Sequence, residues 1–94
     1  MYLEDLQKYR DELNMCLTKM AVELEVDESG RTVVTTTKET YSFEDEADAD
    51  TIINKARLDV GFMEAKKKFK QGKINKNGEI VRPDSYTVVI KLNH

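Results

Sequence analysis

Two stretches of charge hold most of the chemistry this sequence offers. Lys66, Lys67, Lys68, Lys70, Lys73 and Lys76 fall within eleven residues, and Arg82 follows closely. Ammonium and guanidinium groups at that density can neutralise successive phosphates and release their counterions, which is the physical basis of nucleic-acid binding. The same groups can meet an acidic protein surface, or simply complement the carboxyl end of a helix and keep a small domain soluble. The second stretch is Glu44-Asp45-Glu46-Ala47-Asp48-Ala49-Asp50. Its alternating carboxylates superficially resemble a calcium loop, but no glycine supplies the sharp turn at the sixth position and no glutamate closes the loop at the twelfth. Negative charge at the start of a helix is the simpler account.

Other candidates fall away on chemical grounds. His94 is the last residue given, where a chain usually frays and cannot hold a general base in place. Cys16 lies on an apolar stripe with no neighbouring cation to lower its pKa, and reads as a small core thiol. The glycines, Gly30, Gly61, Gly72 and Gly78, are isolated, so no phosphate-cradling loop is present. No nucleophile, base and orienting group can be assembled, and the sequence argues against an enzyme. It implies no metal, no cofactor and no small-molecule substrate.

Positioning these charges requires elements, and hydrophobic spacing supplies them. Tyr2, Leu3, Leu6, Tyr9, Leu13, Cys16, Leu17 and Met20 recur at three- and four-residue steps, predicting a first helix that extends through residue 20. Val22, Leu24 and Val26 then alternate with glutamates, and Thr32–Thr37 is a β-branched run, so a hairpin of 22–26 against 31–37 is expected around Gly30. The rival reading carries the helix on to Glu28, with Gly30 as its stop. Ser42 and Asp45 form a helix-start signal ahead of a long second helix over 44–70. It carries two stripes, Ala49, Ile52, Ile53, Ala56, Val60 and Met63 on one side, and Leu58, Phe62, Ala65 and Phe69 on another. Asn75–Gly78 and Arg82–Ser85 are turn signals, and Tyr86, Val88, Ile90 and Leu92 mark the core side of a last strand. The turns around Gly30 and Gly78 resemble one another at a separation of 48 residues. Ordinary turn chemistry explains that likeness more simply than a duplication.

The expected fold is therefore α+β, two helices packed on a small, mostly antiparallel sheet in the order α-β-β-α-β-β, forming a single domain over residues 1–94. The 94-residue chain is 39% hydrophobic and 35% charged, the composition of a globular domain rather than a disordered one. No apolar run approaches the ~20 residues a membrane-spanning helix needs. A lone cysteine and no export signal favour the cytoplasm, or a host's cytoplasm, since a short, acidic, motif-free chain is also the general make-up of small viral accessory proteins.

Charge is unevenly distributed along the chain. Residues 1–50 hold 14 acidic and 5 basic side chains, and residues 51–94 hold 4 acidic and 10 basic. A long helix that begins acidic and ends basic would pair antiparallel with its copy. The expectation is thus a non-enzymatic protein–protein interaction module and homodimer. Leu58, Phe62 and Phe69 would be its apolar anchors, with Glu44, Asp45, Asp48, Lys66 and Lys70 setting orientation. The alternative is a nucleic-acid binder using Lys66, Lys67, Lys70, Lys73, Lys76 and Arg82.

Overall fold

Side chains branched at Cβ are stiff and pack well on a pleated surface, and they place the first long strand pair. The computed structural model describes residues 1–94. Strand β1 (Leu17–Val26) runs antiparallel to β2 (Thr32–Phe43), longer on both sides than the alternation alone implies. Asp27 organises the turn between them. Its carboxylate accepts hydrogen bonds from the Ser29 amide at 2.9 Å, the Ser29 hydroxyl at 2.6 Å and the Arg31 amide at 2.9 Å. Those donors favour the ionised form and hold the Asp27 carboxyl below its usual pKa. Gly30 takes a φ of +83°, which only glycine adopts without strain.

Both expected helices are shorter than their apolar spacing suggests. A single 3-10 turn (Leu3–Asp5) leads into α1 (Leu6–Asp11), which ends well before Met20. Asn14 stops it, its side-chain oxygen accepting from the Cys16 amide at 2.8 Å, and β1 follows at once. Helix α2 covers only Glu46–Arg57. Asp45, not Ser42, is its cap, accepting from the Ala47 amide at 2.8 Å. The chain then turns through Asp59, whose carboxylate accepts from the Gly61 amide at 2.8 Å, and residues 62–70 form strand β3 (Phe62–Lys70). The long second helix does not exist, and two helices on a small sheet misstates the proportions: this is mostly sheet, with one 12-residue helix and one short one.

The remaining strands are β4 (Lys73–Ile74), β5 (Ile80–Arg82) and β6 (Ser85–Asn93). Strands β1-β2-β6-β3 form one antiparallel sheet in that order, and β4 and β5 form a two-stranded ribbon. Arg82–Ser85 is therefore not a chain reversal. Opposite it, the Gly72 amide donates to the Asp84 carboxylate at 2.7 Å, so β3–β4 and β5–β6 are one long hairpin pinched at a waist. The ribbon beyond that waist projects from the body, and the molecule measures 61 × 24 × 18 Å. Its radius of gyration is 16.3 Å, against about 12 Å for a compact chain of this length.

A shift of 48 residues carries the first hairpin onto the second, Gly30 onto Gly78 and Val33 onto Val81. It also carries the β2–β6 ladder onto itself, exchanging the pair Thr40–Val89 with the pair Tyr41–Val88. The two hairpins are thus alike in register and their tips point opposite ways, but the shift sends residues of one sheet face onto the other, Tyr41 onto Val89 and Thr40 onto Val88, so no rotation axis relates them.

Helix α2 covers one face of the sheet. Ala49 and Ile53 are buried against Tyr41, Phe43, Val88, Ile90 and Leu92, with Ile52, Ala56, Phe62, Ala65 and Tyr86 at the margin. Alternation along each strand sends every second residue to the opposite face.

Candidate functional site

The face of the sheet away from α2 is where the lysines collect. Strand register sets out its rows. Glu64, Lys91, Lys38 and Ala21 lie side by side across the four strands, and Lys66, Val89, Thr40 and Lys19 form the next row. Lys68, Thr87 and Ser42 follow, then Lys70 and Ser85. Six lysines (19, 38, 66, 68, 70 and 91) thus share a surface with threonine, serine, valine and alanine, and all but Lys91 are well exposed. Neighbouring rows, two residues apart, stand roughly 6.8 Å from one another along the strands, and neighbouring strands about 4.8 Å apart. Lys66 contacts Glu64 at 3.2 Å, a pair open to solvent and so of little energetic weight.

At the end of this face nearest the waist lies a hollow of about 400 Å³, lined by Thr18, Thr40, Ser42, Ser85, Thr87, Lys70 and Arg82 among others. Hydroxyls and two cations around one concavity are the groups that hold phosphate oxygens. Arg82 also donates to the Gln71 carbonyl at 3.2 Å, which fixes its guanidinium near the rim.

The lysine run does not act as one block. Lys67 alternates to the helix side, where its ammonium meets Asp50 at 2.7 Å and Glu46 at 3.2 Å. These carboxylates, Asp50 first, raise the Lys67 pKa above that of a free lysine. Lys73 and Lys76 ride on the ribbon. Among the acidic residues, Asp45 is occupied as the α2 cap, Asp48 sits exposed in the first turn of α2, and Glu44 borders the hydroxyl-lined hollow. The acidic start of α2 therefore meets a lysine of its own chain. The three expected anchors do not form a stripe. Leu58 is exposed just past α2, Phe62 packs at the core margin, and half-exposed Phe69 leans on Tyr86 with ring centroids 5.4 Å apart.

A second feature had no signal in the spacing. Glu39 is 3% exposed, on the α2 face of β2. The Tyr41 hydroxyl donates to it at 2.6 Å, the Tyr9 hydroxyl donates to its other oxygen, and the Thr37 hydroxyl donates at 3.3 Å. His94 Nε2 lies 2.8 Å from the Thr37 oxygen. Thr37 has one proton and gives it to Glu39, so this geometry assigns the donor role to Nε2 of His94. Burial, then hydrogen bonding to Glu39, raises the pKa of both tyrosines, while burial lowers that of His94. The cluster sits in a cleft of about 390 Å³ beneath α1 and beside the second half of α2. His94 is thus held rather than frayed, and Cys16 is exposed rather than buried. Only the run of two tyrosines and a glutamate at residues 9, 39 and 41 hints at the cluster, and nothing in their separation predicts it.

Comparison with family models, with curated proteins and with solved structures finds no significant match for this chain. The functional reading therefore rests on these surfaces alone. No helix is long and apolar enough to cross a membrane.

Proposed function

We propose that this protein is a non-enzymatic binding module whose uncovered sheet face takes a polyanion, the phosphate backbone of a nucleic acid being the chemistry it fits best. The observation that supports this is the gathering of six lysines, from four strands, on the one face that no helix covers. Glu64, Glu23 and Glu25 offset them on that side of their strands and Glu44 borders the hollow, while the α2 side carries Glu46, Asp48 and Asp50. A net charge of −3 for the whole chain does not oppose the reading when the two signs lie on different faces. The face has no aromatic side chain to stack on bases, so binding would follow the backbone rather than the sequence.

Fluorescence anisotropy with a 20-base-pair duplex tests it. Binding should weaken with salt, log K falling by about 0.9 per log unit of salt for each phosphate neutralised. Lys66→Glu with Lys68→Glu should lower affinity and flatten that slope. Lys55→Glu with Arg57→Glu, an equal change of charge on the helix side, should leave both nearly as they were. Absence of binding at 50 mM salt, or equal losses in both variants, would reject the reading. A protein partner is the second reading, favoured by the apolar residues that the ribbon leaves exposed.

A further inference from the structure

Each hairpin extends past the β2–β6 ladder, and the first shows what such an extension can carry on its free edge. In the first hairpin, β2 continues beyond its pairing with β6, and the N-terminal segment takes over the vacated edge. Tyr2 forms a bridge with Val33, and the Val34 amide donates to the Met1 carbonyl at 2.7 Å. The Tyr2 ring lies 3.5 Å from the Arg31 guanidinium, and Glu4 pairs with the same group. A short extended pair, Met1–Tyr2, thus covers Val33–Val34, the 3-10 turn that follows brings Glu4 to Arg31, and Val34 is 1% exposed.

The equivalent stretch of the second hairpin, Ile80–Arg82, has no such cover. Ile80 and Val81 are 71% and 65% exposed, and Ile74 across the ribbon is 70% exposed. An isolated two-stranded ribbon is marginal in water, and three aliphatic side chains on it are an unusual expense unless something packs there. Charge narrows the choice. Lys73, Lys76 and Arg82 surround the patch and outnumber its one free carboxylate, Glu79, which meets only the neutral Asn75 amide, while Asp84 is committed to the waist.

We infer that the outer edge of β5 is a docking site for an acidic, aromatic-bearing peptide segment of a partner protein, whose extended part is added to the ribbon as Met1–Tyr2 is added to the first hairpin. The segment pairs its backbone along Glu79–Pro83, lays its aromatic ring on the Ile80–Val81 surface or the Arg82 guanidinium, and sets its carboxylates towards Lys73 and Arg82. Val81 is bulged out of the β4–β5 register, and Pro83 lacks an amide, so the edge offers few backbone groups. Side-chain complementarity must then carry much of the recognition, and the acidic requirement follows from that.

The probe is a blocked peptide reproducing residues 1–5, Met-Tyr-Leu-Glu-Asp, titrated into the isotope-labelled full chain and followed by NMR. Saturable shifts confined to residues 73–83 are expected. A control peptide with Glu and Asp replaced by Lys should produce at least tenfold weaker binding. Arg82→Glu should lose binding by a similar factor, and Ile80→Asp should abolish it; both positions are exposed, so an unchanged circular dichroism spectrum checks that they fold. With the peptides, the inference is overturned by no shifts at 5 mM, by equal binding of both, or by shifts at residues 31–34 instead, which would mean that the peptide only displaces the chain's own segment. Preferential binding of an oligonucleotide to the ribbon would overturn it in favour of the polyanion face extending to the tip.

Discussion

The Lys67 ammonium and the Asp50 carboxylate meet at 2.7 Å, and that contact joins edge strand β3 to helix α2. Glu46, one turn earlier, takes the same ammonium at 3.2 Å. Lys67 stands on the core side between Ala65 and Phe69, the one charged residue in an otherwise apolar alternation. Removing it should loosen the edge strand rather than the core. Lys67→Met is expected to lower the melting temperature in 50 mM salt and to lower it less in 1 M salt, where screening already weakens the wild-type pair. The sign with pH follows from the raised pKa. The contribution is complete below the ordinary lysine pKa near 10.4 and fades as pH climbs through the higher folded value. Thermal melts at two salt concentrations check the first point.

The Glu39 cluster sets a second expectation. A buried carboxylate that loses a donor keeps its desolvation cost, about 1–3 kcal/mol. Tyr41→Phe should therefore destabilise by about that much, and Tyr9→Phe by less, because Tyr9 sits on the short and peripheral α1. Both phenols have raised pKa values, so the folded state holds protons that the unfolded state releases above about pH 10. Stability should then fall with rising pH above that point. Urea titrations between pH 8 and 11 measure the slope, and Tyr41→Phe should flatten it.

The sequence made the strands at 22–26, 32–37 and 86–92 legible because their alternation is clean and their turns carry Asp27–Gly30 and Asn75–Gly78. It misled over 58–70 for three physical reasons. Lysine is a good helix former, Leu58, Phe62, Ala65 and Phe69 happen to fall at helical steps, and Lys67 on the core face hides the period of two. The register shift between Phe62 and Glu64 obscures it further. Gly61 was the available signal, since a glycine inside a helix costs about 1 kcal/mol relative to alanine and asks for a reason. The lysine cluster was visible as composition, but its division between two faces depends on strand pairing. Lys19, Lys38 and Lys91 join it only through β1, β2 and β6, from positions too distant in sequence to be grouped.

Gly61 supplies the third prediction. An added Cβ would sit well inside contact distance of the Asn93 carbonyl oxygen, and the Asn93 amide donates to the Gly61 carbonyl at 2.7 Å. Neither backbone can yield without breaking the start of β3. Gly61→Ala should cost at least the 1–3 kcal/mol typical of overpacking. Gly30→Ala meets nothing within 4 Å, yet forces alanine to a φ of +83° and should cost about 1 kcal/mol. Denaturant midpoints of the two variants should fall in that order.

Gly72 tests whether the ribbon and the body are separable. Its Cβ would crowd the Arg82 carbonyl and the backbone of Pro83 and Asp84, so Gly72→Ala strikes the waist. No core residue lies beyond it; Ile74, Ile80 and Val81 touch none of the buried cluster. Hydrogen exchange of the variant should accelerate over residues 73–82, while the amides of Val88, Ile90 and Leu92 keep their protection. General loss of protection would mean that the ribbon helps to hold the sheet together.

The last prediction separates the apolar positions that hold the fold from those that do not. Ile53 is 7% exposed in the centre of α2, packed against the β2 and β6 core, whereas Leu58 is 85% exposed one residue past the helix. Truncating a buried isoleucine removes its transfer free energy and leaves a cavity, together about 2–5 kcal/mol. That is a large share of the roughly 5–14 kcal/mol available to a domain of this length. Ile53→Ala should therefore lower the denaturant midpoint sharply or prevent folding, and Ile53→Val, at about 0.5–1.5 kcal/mol, keeps the comparison measurable if it does. Leu58→Ala should fall within ~0.5 kcal/mol of the parent, as exposed substitutions do. A marked loss at Leu58 in a monomeric sample would place it in a packed helix after all, and would contradict the end of α2 at Arg57.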